Sequence, residues 1–363
     1  MIAEKYKKME VIEMKTVNEI VEEIKNNYGE SDILKIIKGL QVKKAKPVAN
    51  SYKNDIVNVF ATIKDNKIRP VLSKCKVTKD EIIGTDLECT VIIKNTHNIP
   101  EGIYTKQMVE LKTYQETYKD EFEEFPIIKY DRQGKLTTYS KTELEEALNK
   151  VIFCANKSDE NLALKCVRFN NKFIATTDTY RMITVDLNSN TEFSLPLDSA
   201  KVLQKILKSS NAETVELYDD NRLEFYIDDT ILISRKIDLP FPDVKNFEKN
   251  FVFTSNIVIK QSSNELIDSM KKLHKVSCFN RDSKNSFIID FKNKVFKAIG
   301  IDNKIEIPFE FTGNVDFDLI SLNAKMIEEY LKTVSLNKVE IDLYNNRSAV
   351  KINKEYIIMP LAM

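Results

Sequence analysis

One order of segments occurs twice in the chain, and that repetition leaves little freedom for the fold. Residues 140–157 (SKTELEEALNKVIFCANK) read as a helix and 163–187 (ALKCVRFNNKFIATTDTYRMITVDL) as strands. A second helix at 194–210 (SLPLDSAKVLQKILKSS) and strands at 215–237 (VELYDDNRLEFYIDDTILISRKI) complete the unit. The same order returns at 262–278, 286–311, 321–335 and 339–361. Asp302 lies 124 residues after Asp178 and Leu322 lies 125 after Leu197, so the two units share one topology. The helices rest on spacing, with Leu144, Leu148, Val151 and Ile152 on one face and Val202, Leu203, Ile206 and Leu207 on another. The strands rest on alternation, as in Val339, Ile341 and Leu343, and on the polar turns Asp219-Asp220-Asn221 and Asn345-Asn346. An α+β fold follows, with helices packed on antiparallel sheets.

A weaker third copy lies upstream. Residues 53–66 read as a helix, 69–95 as a strand pair carrying Thr85-Asp86, and 102–114 as a second helix. Its closing strands are missing: only the acidic stretch 115–125 separates that helix from Pro126. Ahead of the copy, 9–15 (MEVIEMK) reads as a strand and 16–27 as a helix with Val17, Ile20, Val21 and Ile24 on one face. A run at 33–46 holds Lys35, Lys38, Lys43, Lys44 and Lys46 and no acidic residue. The expected division is 1–127, with an extension over about 1–50, then 128–250 and 251–363. The extension is expected to pack on the first unit and to supply part of the sheet that 115–125 lacks.

Composition narrows the function. Lys+Arg and Asp+Glu both number 55, so any nucleic-acid binding must come from local clustering rather than net charge. The five cysteines (Cys75, Cys89, Cys154, Cys166, Cys278) never fall in C-x-x-C spacing, and only His97 and His274 could join them. Neither a zinc site nor a disulfide scaffold is expected, no metal or cofactor is called for, and the thiols suit a reducing cytoplasm. Only seven glycines occur, none in a phosphate-cradling spacing. No catalytic constellation is present, and a protein without enzymatic activity is expected. The N-terminal segment lacks the apolar core of a signal peptide, and no window reaches the ~18 apolar residues of a membrane span.

Four short motifs, in order on this repeat, carry a family resemblance. IATTDTYRM (174–182), preceded by ALKCVRF and followed by SRKIDLPFPD (234–243), resembles the middle domain of bacterial sliding clamps, the β subunit of DNA polymerase III. YIIMPLAM (356–363) is similar to that family's chain end, and GTDLE (84–88) to a segment of its first domain. The resemblance covers 51–363, strongly from 128 onward. It implies a DNA clamp fold of three repeated domains, closed head to tail as a homodimeric ring lined by helices. The implied function is that of a processivity factor that encircles duplex DNA and tethers a polymerase.

The resemblance also implies sites. A groove between the middle and last domains takes short linear peptides from polymerase and clamp loader. Matching positions are Leu164, Thr177, Thr179, Tyr180, Arg181 and Met182, Pro242 and Phe247, Arg347 and Ala349, and Ile357, Met359, Pro360 and Leu361. Leu164, Met182, Ile357, Met359 and Leu361 suit an apolar slot, with Thr179, Tyr180 and Arg181 as its polar contacts; core packing is the competing role for Leu164 and Ile357. Thr179 stands where the family often has a small residue, and Ala362 where it usually has a basic one. Lys201, Lys205 and Lys208 form one stripe opposite Leu203, Ile206 and Leu207; Lys271, Lys272 and Lys275 form another, with Asp268 among them. In a clamp these stripes point into the DNA channel; otherwise they are ordinary solvated faces. An adaptor or decoy that keeps the groove but does not encircle DNA is the alternative reading, which the altered first domain raises.

Overall fold

Runs of β-branched and aromatic residues broken by short polar turns build three antiparallel sheets, described here from a computed structural model covering residues 54–114, 117–118, 121–279 and 285–362. The strand expected at 9–15, the helix at 16–27 and the basic run at 33–46 lie outside the described residues. Asn54–Met363 forms one compact unit.

The first group of elements is abbreviated. Helix α1 spans only Asn54–Val59, not 53–66. Beyond it, Asn66 Oδ1 accepts from the amides of Ile68 and Arg69, a local turn that competes with helix. The expected strand pair at 69–95 is a 3₁₀ turn, Pro70–Ser73, followed by three strands: β1 (Cys75–Val77), β2 (Glu81–Thr85) and β3 (Cys89–Lys94). The helix expected over 102–114 begins as strand β4 (Gly102–Tyr104), and α2 is only Lys106–Leu111. Thr105 caps α2 by accepting from Met108 N at 3.2 Å, and Lys112 ends it at φ 57°. At Gly84 a β-carbon would stand 2.5 Å from Val59 O, so glycine lets α1 lie directly on β2.

The middle group runs β5 (Lys135–Ser140), α3 (Lys141–Val151), β6 (Cys166–Phe169), β7 (Phe173–Thr177), β8 (Arg181–Asp186), β9 (Phe193–Pro196) and α4 (Leu197–Ser209), closing with β10 (Thr214–Asp219), β11 (Arg222–Ile227) and β12 (Thr230–Arg235). Helix α5 (Val244–Lys249) leads into the last group. There β13 (Ser255–Ile259) and α6 (Ser263–Ser277) precede β14 (Ser286–Asp290), β15 (Val295–Ile299), β16 (Lys304–Pro308), β17 (Phe311–Gly313) and β18 (Leu319–Asn323). Helix α7 (Ala324–Leu331), β19 (Val339–Leu343), β20 (Val350–Ile352) and β21 (Tyr356–Ile358) follow. Ser262 and Glu265 form a capping box on α6, the reciprocal pair that sets a helix start in sequence.

Two sheets each join strands of consecutive groups. The eight-stranded one runs β4-β1-β2-β3-β12-β11-β10-β5, where β12 pairs with β3 from Cys89↔Ser234 to Ile93↔Thr230. The nine-stranded one runs β17-β13-β19-β20-β21-β8-β7-β6-β9, where β21 pairs with β8. The third, β16-β15-β14-β18, contains strands of the last group alone. Strand β16 holds the position that β3 and β8 hold in their sheets, yet among the described residues its outer edge meets no strand.

No strand lies between Tyr104 and Lys135 among the described residues. Instead Phe122, Phe125, Ile128 and Tyr130 pack over Ile83, Ile92, Ile103 and Ile233 of the eight-stranded sheet. Beneath this strap Lys74 pairs with Glu121 at 2.5 Å and lies 3.4 Å from the Tyr118 ring centroid, while Lys76 donates to Phe122 O at 2.8 Å. Both lysines are buried: Glu121 offsets the charge of Lys74, and Lys76 is held by the Phe122 carbonyl and lies 3.9 Å from the Phe122 ring centroid.

Candidate functional site

The turn between β7 and β8 is held by its own side chains. Asp178 Oδ1 accepts from the amides of Tyr180 and Arg181, each at 3.1 Å. Thr177 Oγ1 donates to Arg181 O at 2.8 Å and accepts from Thr179 N at 3.2 Å. Thr179 therefore stands at φ 79°, a conformation that costs a β-branched residue energy and explains why a small residue would suit the position. The turn pushes Tyr180 outward to 63% exposure.

Strand pairing then assembles an apolar patch. Met182 lies opposite Ile357 across β8 and β21, and both pack with Ala175, Val244 and Ala349. Phe173, Phe241, Phe251 and Met359 lie partly buried against them. The tail after β21 is pinned at two points: Met359 N donates to Tyr180 O at 2.9 Å, and Leu361 N donates to Ser321 O at 2.8 Å. Beside this tail Asn346, Arg347, Pro360, Leu361 and Ala362 line a recess of about 430 Å³. An apolar patch beside an open recess suits an extended ligand with large aliphatic side chains.

The expected groove residues separate into three sets. Met182, Ala349, Ile357 and Met359 come together in the patch, and Arg347, Pro360 and Leu361 line the recess beside it. Thr179, Tyr180, Pro242 and Phe247 are exposed around them, Phe247 with its ring edge-on to Phe251 at 4.9 Å. Thr177 is buried in the turn, and Leu164 is buried in the 3₁₀ turn Leu162–Leu164 ahead of β6, apart from the patch. Arg181 departs from its expected place. One residue along β8 from Met182, it points to the opposite face, because successive side chains of a strand alternate. There it is only 5% exposed, with Nε 2.8 Å from Asp178 Oδ2 and Nη1 2.7 Å from Glu329 Oε2. It is not a polar contact of the groove face. Conversely, Ala175, Phe173, Phe241, Val244 and Phe251 belong to the patch and were missed. The phenylalanines spaced along 241–253 were the available signal.

The lysine stripes stand on exposed helix faces. Lys201, Lys205 and Lys208 are exposed on α4 while Val202, Leu203, Ile206 and Leu207 are buried, and Lys201 is 3.3 Å from Asp198. On α6, Lys271, Lys272 and Lys275 are exposed opposite buried Leu266, Met270 and Leu273, and Lys271 is 3.2 Å from Asp268. Burial pushes the thiols of Cys75 and Cys89 up to about 12 and that of Cys166 up to about 11, and burial raises Cys154 also. These four are therefore thiols, not nucleophilic thiolates, near neutral pH. No helix among the described residues is long and apolar enough to cross a membrane.

No family model matches the chain. A β sliding clamp of Mycoplasma capricolum is 24% identical over 253 residues, covering 64% of this chain and 65% of that protein, so the match spans less than two thirds of the relative's length. The DNA polymerase III β subunit of Thermotoga maritima superposes with a TM-score of 0.71 at 22% identity, over 86% of this chain and 97% of that one. The β subunit of Streptococcus pyogenes gives 0.73 at 14% identity, over 86% and 98%. The chain has the DNA clamp fold, and its sequence resembles the bacterial β clamps with a divergent first part.

Proposed function

We propose that this protein is a DNA polymerase processivity factor, a clamp without catalytic activity that closes around duplex DNA. In this reading 1–127, with its extension over about 1–50, 128–250 and 251–363 are its three units, and the lysine stripes of α4 and α6 face the DNA. The observation that carries it is the sheet pattern. The leading strands of the first and middle units are completed by trailing strands of the next. The outer edge of β16, the matching strand of the last unit, meets no strand among the described residues, which supports a contact with a second copy there. A head-to-tail contact that closes by rotation makes a ring rather than a fibre. Lysine stems on a smooth helix face meet phosphates without reading bases, which leaves the ring mobile along DNA.

Met182, Ile357, Met359 and Leu361 form the floor of a groove for short linear motifs of polymerase and clamp loader, with Tyr180, Phe247 and Arg347 at its rim. Size exclusion with light scattering tests the ring: a mass near twice the 42.0 kDa of one chain is expected, and a monomer at micromolar concentration sinks the reading. Retention on nicked circular DNA with release from linear DNA is the companion result for topological linkage.

A further inference from the structure

Sheet geometry places the candidate groove and helix α7 on opposite faces of one pair of strands. Met182 and Ile357 face the patch, whereas Arg181, Ile183 and Tyr356 face the helices. Arg181 crosses the boundary between groups on that second side. Its Nε meets Asp178 of its own turn at 2.8 Å, and its Nη1 reaches Glu329 of α7, in the last group, at 2.7 Å. Its Nη2 donates to Phe153 O at 3.4 Å, and the guanidinium lies 5.3 Å from the Phe153 ring centroid. Phe153 in turn contacts Tyr356 at 5.8 Å, and Tyr356 stacks on Tyr330 of α7 at 4.5 Å between centroids. Tyr356 also donates to Met326 O of α7 at 3.2 Å.

One buried cation thus binds three things: the turn that presents Tyr180, the strand that carries Met182, and the helix on the far side of the sheet. We infer that Arg181 is a positioning residue, a clasp that ties the shape of the groove wall to the placement of α7. The inference deepens the groove reading given above and rests on it for its peptide arm alone. Two features make the clasp suited to transmission. Asp178 accepts from the backbone with one oxygen and from Arg181 with the other, so a shift of the guanidinium moves the turn directly. The β8–β21 joint is short, with three paired positions, Arg181↔Ile358, Met182↔Ile357 and Ile183↔Tyr356, and one further backbone bond at each end, so side chains share in setting its geometry. Anything that displaces α7 alters the groove, and a ligand in the groove alters α7 by the same coupling free energy.

The test uses a substitution remote from the groove. Glu329→Gln keeps the shape of the residue and removes its charge from the clasp. In full-length protein with methionines labelled at the methyl carbon, it should shift or broaden the Met182 and Met359 signals and leave Met108, on α2, unmoved. In an Arg181→Leu background Glu329→Gln should add nothing, and Arg181→Lys should fall between, because an ammonium cannot reproduce the guanidinium fork. Should Arg181→Leu not fold, the Arg181→Lys background serves in its place, where the effect of Glu329→Gln should be reduced. Unmoved Met182 and Met359 signals in folded Glu329→Gln protein overturn the clasp. A fluorescein-labelled peptide from the polymerase's clamp-binding segment gives the second arm, with affinity weakened about 5-fold or more in Glu329→Gln. A peptide that fails to bind the unsubstituted protein counts against the groove reading, and the methyl spectra then decide the clasp by themselves.

Discussion

Single residues divide here into those whose neighbours are local in sequence and those whose neighbours are not. Asp290 belongs to the first kind. Its carboxylate accepts from Lys297 Nζ at 2.6 Å, and from Asn293 Nδ2 and N, each at 2.8 Å. The Lys297 bond foremost, then the Asn293 bonds, hold its carboxyl down to about 2. A carboxyl depressed in the folded state stabilises above its unfolded pKa of about 3.8 and loses that contribution as pH falls toward 2. The melting difference between the unsubstituted protein and Asp290→Asn should therefore be constant above pH 5 and shrink from about pH 4 to 2. A pH-independent difference would refute it. Met359 belongs to the second kind, lying partly exposed against the patch formed by three separate segments. Met359→Ala should weaken peptide binding by about fivefold or more while the fold is retained, as read by fluorescence anisotropy. Met182→Asp should abolish binding, but Met182 is 5% exposed, so burying the charge also costs stability, on the order of 2 to 5 kcal/mol.

Helices α4 and α6 show one amphipathic device used twice. Each buries an aliphatic stripe and exposes lysines, and the apolar stripe decides which way the lysines face. Charge reversal of Lys201, Lys205 and Lys208 to glutamate should lower retention on circular duplex DNA while shifting the melt little, since exposed ion pairs contribute only about 0 to 1 kcal/mol. The salt dependence of retention should flatten as well, because fewer counterions are released. Equal retention at every salt concentration would remove these helices from the DNA surface. Strand β16 is an element with a different vulnerability. Its outward amides are those of alternate residues, so of Ile305→Pro and Glu306→Pro one removes a bond to β15 and the other only an outward donor. One of the two variants should stay folded and become monomeric by light scattering. Two folded dimers would exclude the edge from the subunit contact.

Across the whole molecule, repetition is carried by sheets that ignore the boundaries between units. Both inter-group sheets continue through a trailing strand, β12 or β21, and each is covered on one face by the linker between the two groups it joins, 122–130 or 241–251. The turn at Thr85-Asp86-Leu87 repeats that at Thr177-Asp178-Thr179: Asp86 Oδ1 accepts from the amides of Glu88 and Cys89, and Leu87 stands at φ 75°. Arg235 N donates to Glu88 O at the first joint as Met359 N does to Tyr180 O at the second. Deleting 359–363 should therefore release the tail from Ser321 and abolish peptide binding without opening the sheet, since β21 ends at Ile358. Loss of the folded core in that variant would show that the tail is structural instead.

Much of this was legible in the chain itself, for a physical reason. Helical spacing in 197–209 and 263–277, alternation in 339–343 and the polar turns depend on neighbours a few residues away, so the repeat, its element types and the lysine stripes could be read directly. The Met182–Ile357 pairing and the bond from Met359 N to Tyr180 O depend on contacts between segments more than 170 residues apart. Short helices were overread where a local side chain, Asn66 or Thr105, or a strand such as Gly102–Tyr104 claimed the backbone. Arg181 shows the limit most clearly. Motif position set it beside Met182, but which face each residue takes is decided by strand pairing, and pairing placed the guanidinium with Glu329, beyond the reach of any local pattern.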